Sequence, residues 1–301
     1  MAVLRRRALR VLALLLALSP VAGCSSGVRP ELLERVQQGA ESVEFDSPRV
    51  EVSLLGTPTL PLVEVTLNGR GPYRFLLDAG ANVVSVKESV AREAGLPVLQ
   101  RLTERSVVGV DSLRMGGVVF RGVAAVGEPE LDVDGVIGFN LFRDGLLTLD
   151  YPRQRLSWGP GSLPPPDGST VLPYELRDRM PYVPFTLGAD TLWFNLDTGA
   201  AGWLYVPAGA EGRLPFDGPA VEGPTVWNQF SGGRTLTARR LGGDLRLGPH
   251  VVERPLLALA PDLTEFLVGS GLLQGFALTF DLGQRRVRLV REGNGPIRTP
   301  E

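Results

Sequence analysis

FNLDTGAAGWLYVP, residues 194–207, places an acidic residue, Asp197, at the end of an apolar run and directly before a Thr-Gly pair. A carboxylate on an apolar strand is costly to bury unless it is hydrogen-bonded or shares a proton. Asp197 is therefore either a turn residue or one member of a pair. The chain holds a second copy of the pattern: PYRFLLDAGANVVSV (72–86) aligns with TLWFNLDTGAAGWLYV (191–206), setting Asp78 opposite Asp197. Downstream, GVIGFNLFRDGLLTLDYPRQRLSW (135–158) aligns without gaps with FLVGSGLLQGFALTFDLGQRRVRLV (266–290), so that Gly138 meets Gly269, Thr148 meets Thr279, Asp150 meets Asp281 and Arg155 meets Arg286. Between these blocks DSLRMGGVVF (111–120) aligns with GDLRLGPHVV (243–252). Three blocks in the same order read as a tandem duplication.

A chain of 301 residues holds one large domain or two smaller ones. Its 44% apolar content supports a sizeable core, and 37 Gly and 25 Pro with few helical patterns favour an all-β fold with many turns. A formal net charge of −2 gives no reason to expect nucleic acid as a partner. His250, the only histidine, reads as a surface turn residue. One His builds neither a Ser-His-Asp triad nor a His-based metal cluster. No metal or cofactor is expected.

The N-terminus joins a basic stretch, Arg5 to Arg7, to a short apolar core, Val11 to Leu18, and then small residues, the pattern of a secretory signal. Val21-Ala22-Gly23-Cys24 resembles the lipobox of bacterial lipoproteins, which implies cleavage before Cys24, the only cysteine, and lipid on it. Ser25 next to it implies the outer membrane, facing the periplasm, or the cell surface. The domain reading is a signal peptide over 1–23, a tether over 24–48, an N-terminal lobe over 49–158, a linker over 159–170, a C-terminal lobe over 171–290 and a tail over 291–301. Inside the tether, PELLERV (30–36) reads as a short helix with Pro30 at its first position. GPGSLPPPDGS (159–169) is a linker by composition.

Each half reads as short strands. LPLVEVTLNG (60–69) alternates and ends in Asn-Gly, a hairpin signal, with PYRFLLDAG as its return strand. PYVPFTLG (181–188) and LWFNLDTG (192–199) repeat the pattern, and KESVAREAGL (87–96) reads as a helix stopped by Gly95 and Pro97. Two related halves packed about a pseudo-twofold axis bring Asp78 and Asp197 together. Carboxyls in contact share a proton and titrate apart, leaving one as a base and the other as an acid.

FLLDAGANVVSV and FNLDTGAAGWLYVP, each followed by an apolar-apolar-Gly motif ending at Gly138 and Gly269, resemble the pepsin and retropepsin-like aspartic protease superfamily over nearly all of residues 50–290. The resemblance implies a two-lobed acid-protease fold, with β-barrel-like lobes in pseudo-twofold arrangement. It also implies an endopeptidase in which Asp78 and Asp197 activate water without metal or covalent intermediate. Gly80 and Gly199 allow the tight turn and close approach of N–H groups to the carboxylates. The family threonine hydrogen-bonds across the axis, as Thr198 can and Ala79 cannot. The family's substrate-covering hairpin maps best onto TVWNQFSGGRTLTARRL (225–241), with Trp227, Phe230, Gly232 and Gly233 near its tip; LTERSVVGVDSL (102–113) is a shorter counterpart. Asp150 and Asp281 read as structural, Asp132 and Asp134 as loop residues, and Trp158, Trp193, Trp203 and Tyr205 as core. Three functions stay open: an active endopeptidase acting on peptides or proteins, an inactive peptide-binding lipoprotein of the envelope, and a structural lipoprotein. A monomer, touching membrane through its N-terminal lipid only, is expected because one chain completes the site.

Overall fold

The computed structural model describes residues 27–57, 59–228 and 232–300. The first half runs through α1 (Pro30–Gln38), β1 (Ser42–Phe45), β2 (Val50–Ser53), β3 (Leu62–Leu67), β4 (Arg70–Asp78), β5 (Ser85–Lys87) and α2 (Glu88–Glu93). It continues with β6 (Val98–Arg101), β7 (Ser106–Met115), β8 (Val118–Glu128), β9 (Gly135–Gly138), β10 (Leu146–Asp150) and β11 (Arg155–Gly159). The second half holds β12 (Val171–Pro173), β13 (Glu175–Arg177), β14 (Met180–Leu187), β15 (Asp190–Asp197), β16 (Leu204–Pro207), β17 (Phe216–Asn228) and β18 (Gly232–Leu241). It ends with β19 (Leu245–Leu247), β20 (His250–Val252), β21 (Leu256–Ala260), β22 (Phe266–Gly269), α3 (Ser270–Leu273), β23 (Phe276–Asp281) and β24 (Arg286–Arg291).

Local chemistry explains the first hairpin. β3 alternates between buried and less buried positions, and Asn68 and Gly69 adopt φ of 50° and 78°, the left-handed pair that a two-residue hairpin turn requires. The last four residues of β4, Phe75 to Asp78, are all buried, because β4 lies between β3 and β9 with side chains packed on both faces. The strand that delivers the carboxylate is thus an interior strand.

The sheet of the first half has the order β1-β8-β5-β9-β4-β3-β7-β6, and an additional β7–β8 pairing closes a ring. The second half follows β17-β18-β21-β16-β22-β15-β14-β19-β20. The two orders are equivalent: β18 and β19 together take the place of β7, and β20 and β21 the place of β8. The protein is all-β, built of two halves with equivalent strand order.

A third sheet, β12-β24-β23-β10-β11-β2, ties the halves together. At its centre β10 pairs antiparallel with β23, with Thr148 directly opposite Thr279 and Leu147 and Leu149 opposite Phe280 and Leu278. The two threonines that coincide in the sequence repeat therefore meet on the pseudo-twofold axis, their hydroxyls 3.0 Å apart. Asp150 and Asp281 are structural, as read: Asp150 accepts from Arg153 N–H, and Asp281 holds the 159–170 connection by accepting from Ser162 Oγ at 2.7 Å and Leu163 N–H at 2.8 Å. Asp281→Ala strands Leu163 N–H in the interior, so we expect a loss of about 1–3 kcal/mol of unfolding free energy in urea titration; wild-type stability would refute this role.

Two expectations need correction. The short helix read at 30–36 forms as α1, but residues 30–45 are part of the lobe and not a tether: α1 buries Leu32 and Val36, and β1 pairs antiparallel with β8. His250 is not in a turn: it lies in β20 with its ring edge-to-face against Phe276 at 4.9 Å, because the Gly248 turn precedes the strand and leaves the imidazole against the core.

Candidate active site

β4 and β15 end at Asp78 and Asp197, and each strand pairs in parallel with the strand of its apolar-apolar-Gly motif. Asp78 registers with Gly138 and Asp197 with Gly269. Each carboxylate is thereby fixed at the tip of a strand clamped by one sequence-distant glycine strand, in the same way in both halves.

The two loops face each other. A side chain on Gly80 would lie 2.6 Å from Asp197 Cγ, and one on Gly199 would lie 2.5 Å from Asp78 Oδ2. Each glycine backbone rests on the opposite half's carboxyl, an approach that any Cβ would block. Gly80 N–H donates to Asp78 Oδ1 at 2.8 Å. Gly199 N–H and Ala200 N–H donate to Asp197 Oδ1 at 2.9 and 2.8 Å. Gly199 N–H also reaches across to Asp78 Oδ1 at 3.3 Å.

Thr198 joins the loops. Its Oγ1 accepts from Ala79 N–H at 2.9 Å and donates to Leu77 carbonyl oxygen at 2.7 Å. Ala79 has no hydroxyl with which to return these bonds. Beside it lies a small cavity of about 20 Å³, lined by Leu77, Ala79, Thr198 and apolar side chains that include Phe139 and Phe280.

Asp78 and Asp197 are only 2% and 4% exposed, and each carboxyl lies against the loop that carries the other. Burial, and then the charge of Asp197, hold the Asp78 carboxyl well above the ordinary range. Burial also raises Asp197, to about 6, against the hydrogen bonds from Ala200 N–H and Gly199 N–H, which favour its ionised form. The two carboxyls therefore titrate as a pair, in two separated steps.

A buried carboxyl pair, built by two repeated strand-loop units, is the observation that gives the comparisons their meaning. Residues 63–141 match the family described as aspartyl protease. This part of the first half is similar to aspartyl proteases. Among solved structures it is similar to a retropepsin-like aspartic protease from Rickettsia conorii, at 16% identity and a TM-score of 0.30, covering 39% of this chain and 93% of that one. No curated protein matches.

The other candidate residues are placed as follows. The hairpin of the second half is the longer: β17 has 13 residues against four for β6. Near its tip the backbone of Trp227 pairs with Gly233, and that of Asn228 with Gly232. Phe230 and Cys24 lie outside the described residues. Trp158 is core, packed edge-to-face with Phe45 and Phe142. Tyr205 is core, as read, and Trp203 packs partly buried against the core; both also line an open pocket next to the active-site loop. Their spacing after Asp197 was the available signal, and alternation along β16 was too short to use.

Proposed function

We propose that the protein is an aspartic endopeptidase. The reading is carried by the Asp78–Asp197 pair, two buried carboxyls that titrate together. The Asp197 carboxylate takes a proton from water as the water oxygen attacks the peptide carbonyl carbon. The Asp78 carboxyl gives its proton to the carbonyl oxygen. The tetrahedral diol then collapses: Asp197 protonates the amide nitrogen, a diol proton returns to Asp78, and the C–N bond breaks. The β17–β18 hairpin excludes water and grips the substrate backbone. The same proposal takes the repeat as a gene duplication, Cys24 as the lipidated residue of an envelope lipoprotein, and the working form as a monomer.

Purified protein is tested on a mixed peptide library across pH 3–8. Hydrolysis requires the singly ionised pair. With both carboxyls raised by burial, Asp197 to about 6, the rate is expected to rise with pH through about 6 and to fall when the pair loses its second proton. An optimum at pH 3–4 would show that burial does not raise the pair. A folded protein that cleaves nothing at any pH would favour an inactive peptide-binding module instead, and the Asp-Ala-Gly form of the first loop is the feature that would then explain it.

A further inference from the structure

The second half holds an open pocket of about 260 Å³. One wall is the chain just after the active-site loop, Gly202 to Tyr205. The others come from the base of the β17–β18 hairpin and from β21, with Thr299 at the rim. Gly223, Ala238 and Ala258 leave the space, and Trp203, Tyr205 and Leu256 make its walls largely apolar.

The internal repeat gives this pocket a counterpart. With Asp78 matched to Asp197, Gly202 corresponds to Val83, and by strand pairing Tyr205 and Ala258 correspond to Ser85 and Val126. By sheet order β17, β18 and β21 correspond to β6, β7 and β8. The residues in those places form one apolar cluster that includes Val83, Leu99, Val107 and Val126. This cluster is not open. Val28 and Val36 pack into it, and Leu32 is buried alongside.

Polar contacts hold the covering segment at both ends. At the hairpin side Gln100 Oε1 accepts from Arg29 N–H at 3.0 Å, Leu99 carbonyl oxygen accepts from Arg29 Nη2 at 3.1 Å, and Gln100 Nε2 donates to Gly27 carbonyl oxygen. At the other end Asn140 Nδ2 donates to Val36 carbonyl oxygen at 3.1 Å, and Arg143 Nη2 to Gln38 carbonyl oxygen at 2.9 Å. A nine-residue helix is marginal by itself, so α1 owes its order to this seat.

We propose that the first half carries a second peptide-binding seat, equivalent to the open pocket, and that residues 27–38 occupy it in place of the apolar side chains of a bound peptide. The seat and the pocket each begin five residues after an aspartate of the pair, so they stand in equivalent places in the two halves, and we take one peptide lying across the dyad to reach both. While α1 is docked, such a peptide engages the second half only. The tethered segment competes at high effective concentration and weakens binding at the first seat. The inference uses the proposed function only to say what the seat is for; the seat itself is tested by binding.

The probe is a synthetic peptide with the sequence of residues 27–39. The double variant Leu32→Asp, Val36→Asp in the full chain releases the seat, and we expect it to bind the probe at least tenfold more tightly than wild type does. A folded double variant that binds no better overturns the proposal. If the double variant does not fold, wild type decides: millimolar probe should speed hydrogen exchange of the amides of residues 30–38 at least several-fold by displacing α1, whereas unchanged or slower exchange overturns it. Both readouts are independent of hydrolysis. Binding without cleavage would sink the endopeptidase reading and leave the seat standing, and cleavage with no probe binding would do the reverse.

Discussion

Asp197→Asn and Asp78→Asn are each expected to lower kcat/KM for peptide hydrolysis at least about a thousandfold, from the loss of the general base or the general acid, and neither is expected to destabilise the protein at neutral pH. The second half of this expectation separates a working pair from two structural carboxylates. Both groups are raised above their unfolded values by burial, and Asp78 also by the charge of its partner. A carboxyl raised on folding contributes stability below its unfolded pKa of about 3.9 and loses that contribution as pH rises through its folded value. For Asp197 the window runs from about 4 to about 6, and its cost above that window is on the order of 3 kcal/mol. The asparagine amide bears no charge, so each variant should show a flatter dependence of thermal stability on pH between 4 and 8. Peptide kinetics and melting curves over that range make the check. An asparagine variant that cleaves at the wild-type rate would sink the dyad. One that melts well below wild type at pH 7 would show that the carboxylates hold the fold, and the electrostatic account would fail.

Much of this site was legible in the sequence because the chain states it twice. A single Asp-Thr-Gly is weak, but Asp78 and Asp197, each followed by a glycine motif at Gly138 and Gly269, fix two strand pairs and hence where the carboxyls point. The same repeat placed Thr148 against Thr279, which the structure puts on the axis. The longer covering hairpin could be located too, because the Ser-Gly-Gly between its strands has no equivalent in the first half. What the repeat could not show is where the halves differ. α1 has no counterpart in the second half, and its apolar residues, Leu32 and Val36, are too few to distinguish a docked helix from a solvated one. Tyr205 belongs to a strand of four residues and Trp203 directly precedes it, too short a run for periodicity to say which face is covered. Whether a pocket opens beside them depends on Gly223, Ala238 and Ala258, which are distant in sequence. His250 was misplaced because Pro249 and Gly248 signal a turn that ends one residue before it.

The asymmetry at the axis leads to the other large effect. Thr198→Val keeps the shape of the side chain and removes one hydroxyl, yet it breaks two bonds between the active-site loops, to Ala79 N–H and to Leu77 carbonyl oxygen. In a symmetric site a second threonine would make an equivalent pair and share the load. Residue 79 is alanine, so this hydroxyl makes both bonds unaided. The substitution leaves two buried backbone groups unpaired, at about 1–3 kcal/mol each, which is a large part of the stability of an ordinary domain. The loops also set the spacing of the carboxyls, so kcat should fall more than KM rises. Ala79→Thr should act in the opposite direction. A cavity of about 20 Å³ is lined by Ala79 and Thr198, and a restored hydroxyl is worth about 0.5–1.5 kcal/mol. Combining the two substitutions in a double-mutant cycle tests whether they act on one linkage: Ala79→Thr should recover part of what Thr198→Val loses, more than it adds to wild type. Full stability in Thr198→Val would show that packing of the halves through β10 and β23 holds the loops unaided. Strong destabilisation by Ala79→Thr would mean that the cavity closes around the methyl, and that the Asp-Ala-Gly loop is packed for alanine.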